Sequence, residues 1–262
     1  MDPLEILDQP HILAFVFHPR KAPEGSSSLG RDLMVEVEEG VRIGCRLYER
    51  DKDLPTIIYF HGNGEIAADY DGIAPLYLER GMNLLVADYR GYGRSDGTPT
   101  LRLILGDAHI LFRELRGTLI EEGFSPDLFV MGRSLGSLCA IEVAKDHQEE
   151  LRGLIIESGS ATNFRWLLSQ LGLLPFDHPI WQEGKGFFNR EKIRQISIPT
   201  LIIHAERDSL IPLDEAKLLY ESSGASRREL LIIPGADHND LMWVGRERYF
   251  SRLADFVHSL RS

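Results

Sequence analysis

A serine hydroxyl is a poor nucleophile until a base takes its proton, and an imidazole does this best when a carboxylate fixes its tautomer and stabilises the imidazolium. The sequence places one serine where such help would be useful. Between Asp127 and Lys145 it reads DLFVMGRSLGSLCAIEVAK: β-prone apolar residues from Leu128 to Met131 meet Gly132-Arg133-Ser134-Leu135-Gly136 and pass straight into a helical pattern. That is strand, sharp turn and helix, with Ser134 at the apex. The flanking glycines have a steric reason, because so tight a reversal holds its central residue at strained φ/ψ and brings strand and helix backbones close. A second G-x-S-x-G match, Gly93-Arg94-Ser95-Asp96-Gly97, sits several residues beyond a strand over 83–88 and leads into Thr98-Pro99. Without a helix behind it, this match reads as loop.

Ser134 calls for an acid and a histidine at the ends of later strands. After the apolar run 201–204 comes Ala205-Glu206-Arg207-Asp208-Ser209-Leu210-Ile211-Pro212, which puts Asp208 in a loop. After the run 230–233 comes Pro234-Gly235-Ala236-Asp237-His238-Asn239-Asp240, which puts His238 in the next loop. The order Ser, acid, His is the one expected for a nucleophile on this kind of elbow. Glu206 and Asp237 are alternative acids, while His204 closes a strand and reads as a packing residue. The histidine spacings match neither HExxH nor another metal-ligand set, so no metal is expected.

A tetrahedral oxyanion needs two preorganised N–H donors. Leu135 N–H, at the start of the helix, is one candidate. The other falls in His61-Gly62-Asn63-Gly64-Glu65, after the strand 56–60, where glycines let the backbone turn inward; Asn63 N–H is preferred over Gly64. The same loop also fits G-x-G-x-x-A over Gly62 to Ala67, with Asp88 at the spacing of a ribose-binding acid, which is a dinucleotide-binding alternative. That alternative sets Glu65 where a pyrophosphate must bind and leaves Ser134, Asp208 and His238 unexplained.

The elements that would carry these residues are legible in outline. Segments 32–38 and 41–48 alternate apolar and polar side chains about Glu39-Gly40, as in an antiparallel hairpin. From Pro55 onward, continuous apolar strands at 56–60, 84–88, 128–131, 154–157, 201–204 and 230–233 alternate with helices at 65–80, 101–122, 134–145, 213–222 and 247–260. This is the pattern of a mostly parallel sheet with helices on both faces. The connection between Ser158 and Ile198 is too long for a simple link. Its Phe164, Leu167, Leu168, Leu171 and Leu174 at helical spacing suggest a small lid over 160–195, with an apolar underside above Ser134; cover for the core is the plainer reading. Segment 1–30 offers Leu4, Ile6, Leu7 and Phe15 to Phe17 for packing, then a loop over 21–30 rich in Pro, Gly and Ser.

The 262 residues fit a single domain. A net charge of −11 argues against binding a phosphate backbone, so nucleic acid is not an expected partner. Cys45 and Cys139 fall in a strand and a helix and read as core residues. The start MDPLEILD lacks a basic n-region, and 12–17 is too short to cross a bilayer, so a cytoplasmic protein without a membrane anchor is expected.

Together, HGNG, DYRGYGRSDG, GRSLG, AERDSLIP and GADHND resemble the α/β-hydrolases from residue 32 to the end, above all the BEM46-like group related to α/β-hydrolase-domain proteins 13 and 17. The resemblance implies an α/β-hydrolase fold and a triad of Ser134, Asp208 and His238. It implies a serine hydrolase acting on a small acyl substrate, a carboxylic ester with thioester or amide possible, and needing no cofactor. A catalytically silent ligand-binding member of the fold is the other class. Two features depart from the family pattern: 160–194 is longer than in compact members, and the N-terminal region has neither the anchor nor the cysteine cluster of some relatives.

Overall fold

The computed structural model describes residues 2–23, 29–184 and 187–261. The apolar runs become eight strands: β1 (Arg31–Glu38), β2 (Val41–Tyr48), β3 (Thr56–Phe60), β4 (Asn83–Ala87), β5 (Leu128–Arg133), β6 (Gly153–Glu157), β7 (Thr200–Ala205) and β8 (Arg228–Ile233). They form one sheet in the order β1-β2-β4-β3-β5-β6-β7-β8. The hairpin β1–β2 and the β2–β4 pair are antiparallel; every other pair is parallel. This is the α/β-hydrolase architecture expected from the sequence.

Period-2 alternation divides the buried side chains between two layers. Ile58, Phe60, Val130, Leu154 and Ile156 pack on one face, Ile57, Tyr59, Phe129, Met131 and Ile155 on the other. Among the described residues ten helices surround them: α1 (Pro3–Leu7), α2 (Pro10–Val16), α3 (Ala74–Leu78), α4 (Leu101–Glu121), α5 (Gly136–Asp146), α6 (Arg165–Gln170), α7 (Asn189–Ile193), α8 (Leu213–Ser222), α9 (Leu241–Val244) and α10 (Arg246–His258). Along α10, Tyr249, Phe250, Leu253, Phe256 and Val257 form the buried stripe that docks it on the sheet. Cys45 and Cys139 are buried and unbridged, and burial pushes both thiols up.

Three expectations need correction. The helix expected over 65–80 is instead a 3-10 turn (Ala67–Gly72) followed by the five-residue α3. Asp88 Oδ1 accepts the Ala67 N–H at 2.8 Å and Asp69 Oδ2 the Ile66 N–H at 3.0 Å; Pro75 lacks a donor and fits only the first turn of α3. Helical spacing over 164–174 yields only α6, which ends before Gly172 at φ 68°. The elbow helix begins at Gly136, not Ser134. At the N-terminus α1 and α2 bury Leu7, Ile12 and Val16, whereas 24–28 of the expected loop lie outside the described residues. Among the described residues no helix is long and apolar enough to cross a membrane.

Candidate active site

The strand order reverses between β3 and β5, and a crevice opens beyond the carboxyl ends of strands at such a switch point. β3 ends in the Gly62-Asn63-Gly64 loop and β5 ends in the elbow, so the two loops face each other across the crevice. Ser134 stands there at φ 50°, a left-handed value that only a well-supported non-glycine residue holds. Its N–H donates to the Glu157 carbonyl at 2.8 Å, and its own carbonyl accepts from Ser137 Oγ at 2.6 Å. The glycines on either side are sterically required: a Cβ on Gly132 would lie 2.2 Å from Gly136 O, and one on Gly136 would lie 2.0 Å from Phe60 O.

Ser134 Oγ is 3.1 Å from His238 Nε2. His238 Nδ1 is 2.8 Å from Asp208 Oδ2 and 3.0 Å from Oδ1, and both side chains are sequestered from solvent. Burial by itself would raise the Asp208 carboxyl. The His238 ring and the Ile211 N–H, which donates at 2.7 Å, outweigh it and hold the group below the usual carboxylate range. The alternative acids have other work. Asp237 accepts Ser209 N–H at 2.7 Å and Ser209 Oγ at 3.0 Å, and Glu206 accepts Gly235 N–H at 2.8 Å, so each ties the loop after β7 to the loop after β8. His204 lies fully buried beneath Asp208, 3.5 Å from Oδ2 and 2.9 Å from the Ile211 carbonyl, and burial lowers its pKa.

Leu135, preceding α5, and Asn63 flank Ser134 at the wall of a cavity of about 470 Å³ that also contains His238. Among the described residues neither of their backbone N–H groups has a protein acceptor. The Asn63 side chain is clamped by the N-terminal segment: its Nδ2 donates to Val16 O at 2.8 Å, and its Oδ1 accepts from His18 N–H at 2.9 Å and Tyr92 OH at 2.6 Å. Phe15, Val16 and His18 form one wall of the cavity, Phe164, Leu167 and Leu171 another. Phe164, Leu167 and Leu171 thus line the cavity from the segment 160–195, of which only part is helical.

The glycine loop does not offer a pyrophosphate cradle. Glu65 Oε2 already accepts the Gly62 N–H at 2.9 Å, and Asp88 is buried against His61 Nε2 at 3.1 Å. Ser95 of the second G-x-S-x-G is also buried, its Oγ accepting the Gly44 N–H at 3.0 Å.

Sequence reasoning missed Arg133. Its guanidinium, almost wholly buried, donates to Glu157 Oε1 at 3.0 Å, to Glu65, to the His238 carbonyl at 2.8 Å and to Asn239 Oδ1 at 3.2 Å. Apart from its place before the nucleophile, no local pattern marks it.

Residues 52–174 match the hydrolase family described as serine aminopeptidase, S33. Protein bem46 of Schizosaccharomyces pombe is 26% identical over 213 residues, 80% of this chain and 69% of that protein. Human alpha/beta hydrolase domain-containing protein 17B is 28% identical over 231 residues, 86% of this chain and 74% of that protein. Among solved structures, the esterase Pf2001 of Pyrococcus furiosus superposes with a TM-score of 0.72 at 22% identity, over 93% of this chain and 99% of its own. With these likenesses added to the sheet order and the elbow, the chain has the α/β-hydrolase fold and is similar to the serine aminopeptidase S33 hydrolases over 52–174 and to the BEM46-like group.

Proposed function

We propose that the protein cleaves carboxylic esters through an acyl-enzyme on Ser134, with thioesters and amides as further substrates of the same machinery. The observation that carries the reading is the unbroken hydrogen-bonded line from Ser134 Oγ through His238 to Asp208, opening onto a cavity with apolar walls. His238 Nε2 takes the Ser134 proton as Oγ bonds to the substrate carbonyl carbon, and Asp208 stabilises the imidazolium. The oxyanion rests on Leu135 and Asn63 N–H, the former with the added field of the α5 N-terminus. His238 then returns the proton to the leaving alcohol as the carbon–oxygen bond breaks. Water, deprotonated by the same imidazole, attacks the acyl carbon; as the bond to Ser134 Oγ breaks and the carboxylic acid leaves, His238 returns its proton to Oγ. Every proton is accounted for within the triad, so the cycle calls on no cofactor. The name esterase attached to the Pyrococcus furiosus structure agrees with an ester as first choice.

The deciding experiment is labelling with a fluorophosphonate probe, which phosphonylates an activated serine. Wild type should label once per chain, on Ser134, and Ser134→Ala should not label at all. Wild type that binds a competitive ester analogue without ever being labelled would instead be a ligand-binding member of the fold, and the proposal would fail.

A further inference from the structure

We propose that Arg133 is a positioning residue that holds the oxyanion loop and the histidine loop at a fixed offset from the nucleophile, an inference that rests on the serine-hydrolase reading above. The residue adjoins Ser134 on β5, and its planar fork points at three other pieces of the site. Nε reaches Glu157 on β6, the residue whose carbonyl accepts the Ser134 N–H. One terminal nitrogen binds Glu65, whose other oxygen accepts the N–H of Gly62, next to Asn63. The second terminal nitrogen binds the carbonyl of His238 and the side chain of Asn239. Nucleophile, oxyanion donor and base are therefore braced by one rigid cation.

Charge and burial explain why the brace is stiff. Burial opposes the guanidinium charge, but Glu65 and Glu157 more than offset it and keep Arg133 firmly protonated. Burial likewise works against an ionised Glu65, yet Arg133 draws its pKa below the usual range. Glu157 differs: burial dominates, and its pKa stays raised despite Arg133 and the Tyr249 hydroxyl at 2.6 Å. Buried ion networks of this kind are weak sources of net stability, and their best-attested use is to specify one arrangement. A lysine ammonium supplies charge without the planar fork, so it cannot hold these partners in their mutual orientation.

The test measures the rate of fluorophosphonate labelling at Ser134, with kcat and KM for a short-chain ester, in wild type, Arg133→Lys and Glu65→Gln. Misplacing reacting groups by about 1 Å costs on the order of a hundredfold, so Arg133→Lys is expected to label about a hundredfold more slowly and lose kcat to match. KM should stay within about twofold, since the apolar walls formed by Phe15, Val16, Phe164, Leu167 and Leu171 are untouched. Glu65→Gln keeps the side chain's shape and the bonds of Arg133 to Glu157 and His238; it should lie between the two, about tenfold down. If Arg133→Lys does not fold, Glu65→Gln decides alone. A further check is open because Arg133 also borders a second cavity of about 130 Å³ beside Asp69, Tyr70 and Trp243. Millimolar guanidinium entering there should restore part of the labelling rate to a folded Arg133→Ala protein. Folded variants that label at the wild-type rate, or a folded Arg133→Ala protein indifferent to guanidinium, overturn the proposal. Wild type that fails to label at Ser134 brings down the serine-hydrolase reading first and this inference with it, so the two failures are told apart by the wild-type lane.

Discussion

Gly93 to Gly97 and Gly132 to Gly136 spell the same pattern, each with an arginine before its serine, and the fold uses them differently. The first follows β4 on the antiparallel side of the sheet. Ser95 is buried there, its hydroxyl capping a β2 amide and its carbonyl accepting from Lys21 Nζ at 2.7 Å. Arg94 pairs with Asp32 at 2.7 Å, partly in solvent. The second follows β5 at the strand-order reversal, where Ser134 faces a cavity and Arg133 is buried between two carboxylates. The glycines in both stretches answer a steric demand: a Cβ on Gly93 would come within 1.9 Å of Asp88 Oδ2. What separates the two is the element that follows. A helix beginning at Gly136 projects the serine and the Leu135 amide outward, whereas Asp96 ties the first turn to the hairpin, donating its N–H to Arg42 O at 2.9 Å and accepting the Arg42 N–H at 3.0 Å.

The sharpest way to break this comparison is to remove each hydroxyl in turn. Ser134→Ala should cost on the order of 10⁶ in turnover, as in other triads. Ser95→Ala, measured with the same ester, should stay within about threefold of wild type, because Ser95 contacts neither the cavity nor its walls. Equal losses would erase the distinction. Next in size, Asp208→Asn should lower kcat by about 10⁴ by presenting the wrong imidazole tautomer while leaving the geometry in place. A loss below tenfold would point to Glu206 or Asp237 as the working acid.

Acid should act on the elbow side of the molecule. Asp208 and Glu65 have folded-state pKa values below their ordinary ones, so their contribution to stability is complete above the usual carboxylate range and is lost as pH falls through and below it. Glu157, raised, works in the opposite sense and offsets part of this. Melting temperature should therefore fall between about pH 5 and pH 3, and Asp208→Asn should flatten that slope. A slope unchanged in the variant would remove Asp208 from the account. The smallest effect belongs to the structural serine: Ser95→Ala leaves the buried Gly44 N–H without its acceptor and should cost about 1–3 kcal/mol in chemical denaturation.

The sheet could be read from the sequence because β1 and β2 alternate about Glu39-Gly40 and each later strand is an apolar run bounded by turn residues, with Asp208 and His238 just past two of these runs. The broken 65–80 segment and the Arg133 brace share a cause, since both depend on partners distant in sequence. Nothing near 65–80 announces that Asp88 will take the Ala67 amide and keep that segment from becoming a helix. Helices α1 and α2 are five and seven residues long, too short for a period to show, though each begins with the proline that favours a first turn. The Arg133 brace spans 68 residues to Glu65 and 24 to Glu157, and ion pairs at such separations leave no periodic trace.

In the proposed mechanism, the tether between residues 16–18 and Asn63 gives the opening helices a part in the chemistry. What could pass for a dispensable preamble is expected to aim one of the two amides that receive negative charge and to close one side of the chamber. A version of the polypeptide started at the hairpin should therefore fold around an intact sheet yet handle long and short acyl groups with less discrimination, because the same few residues both orient the donor and set how much room the substrate has.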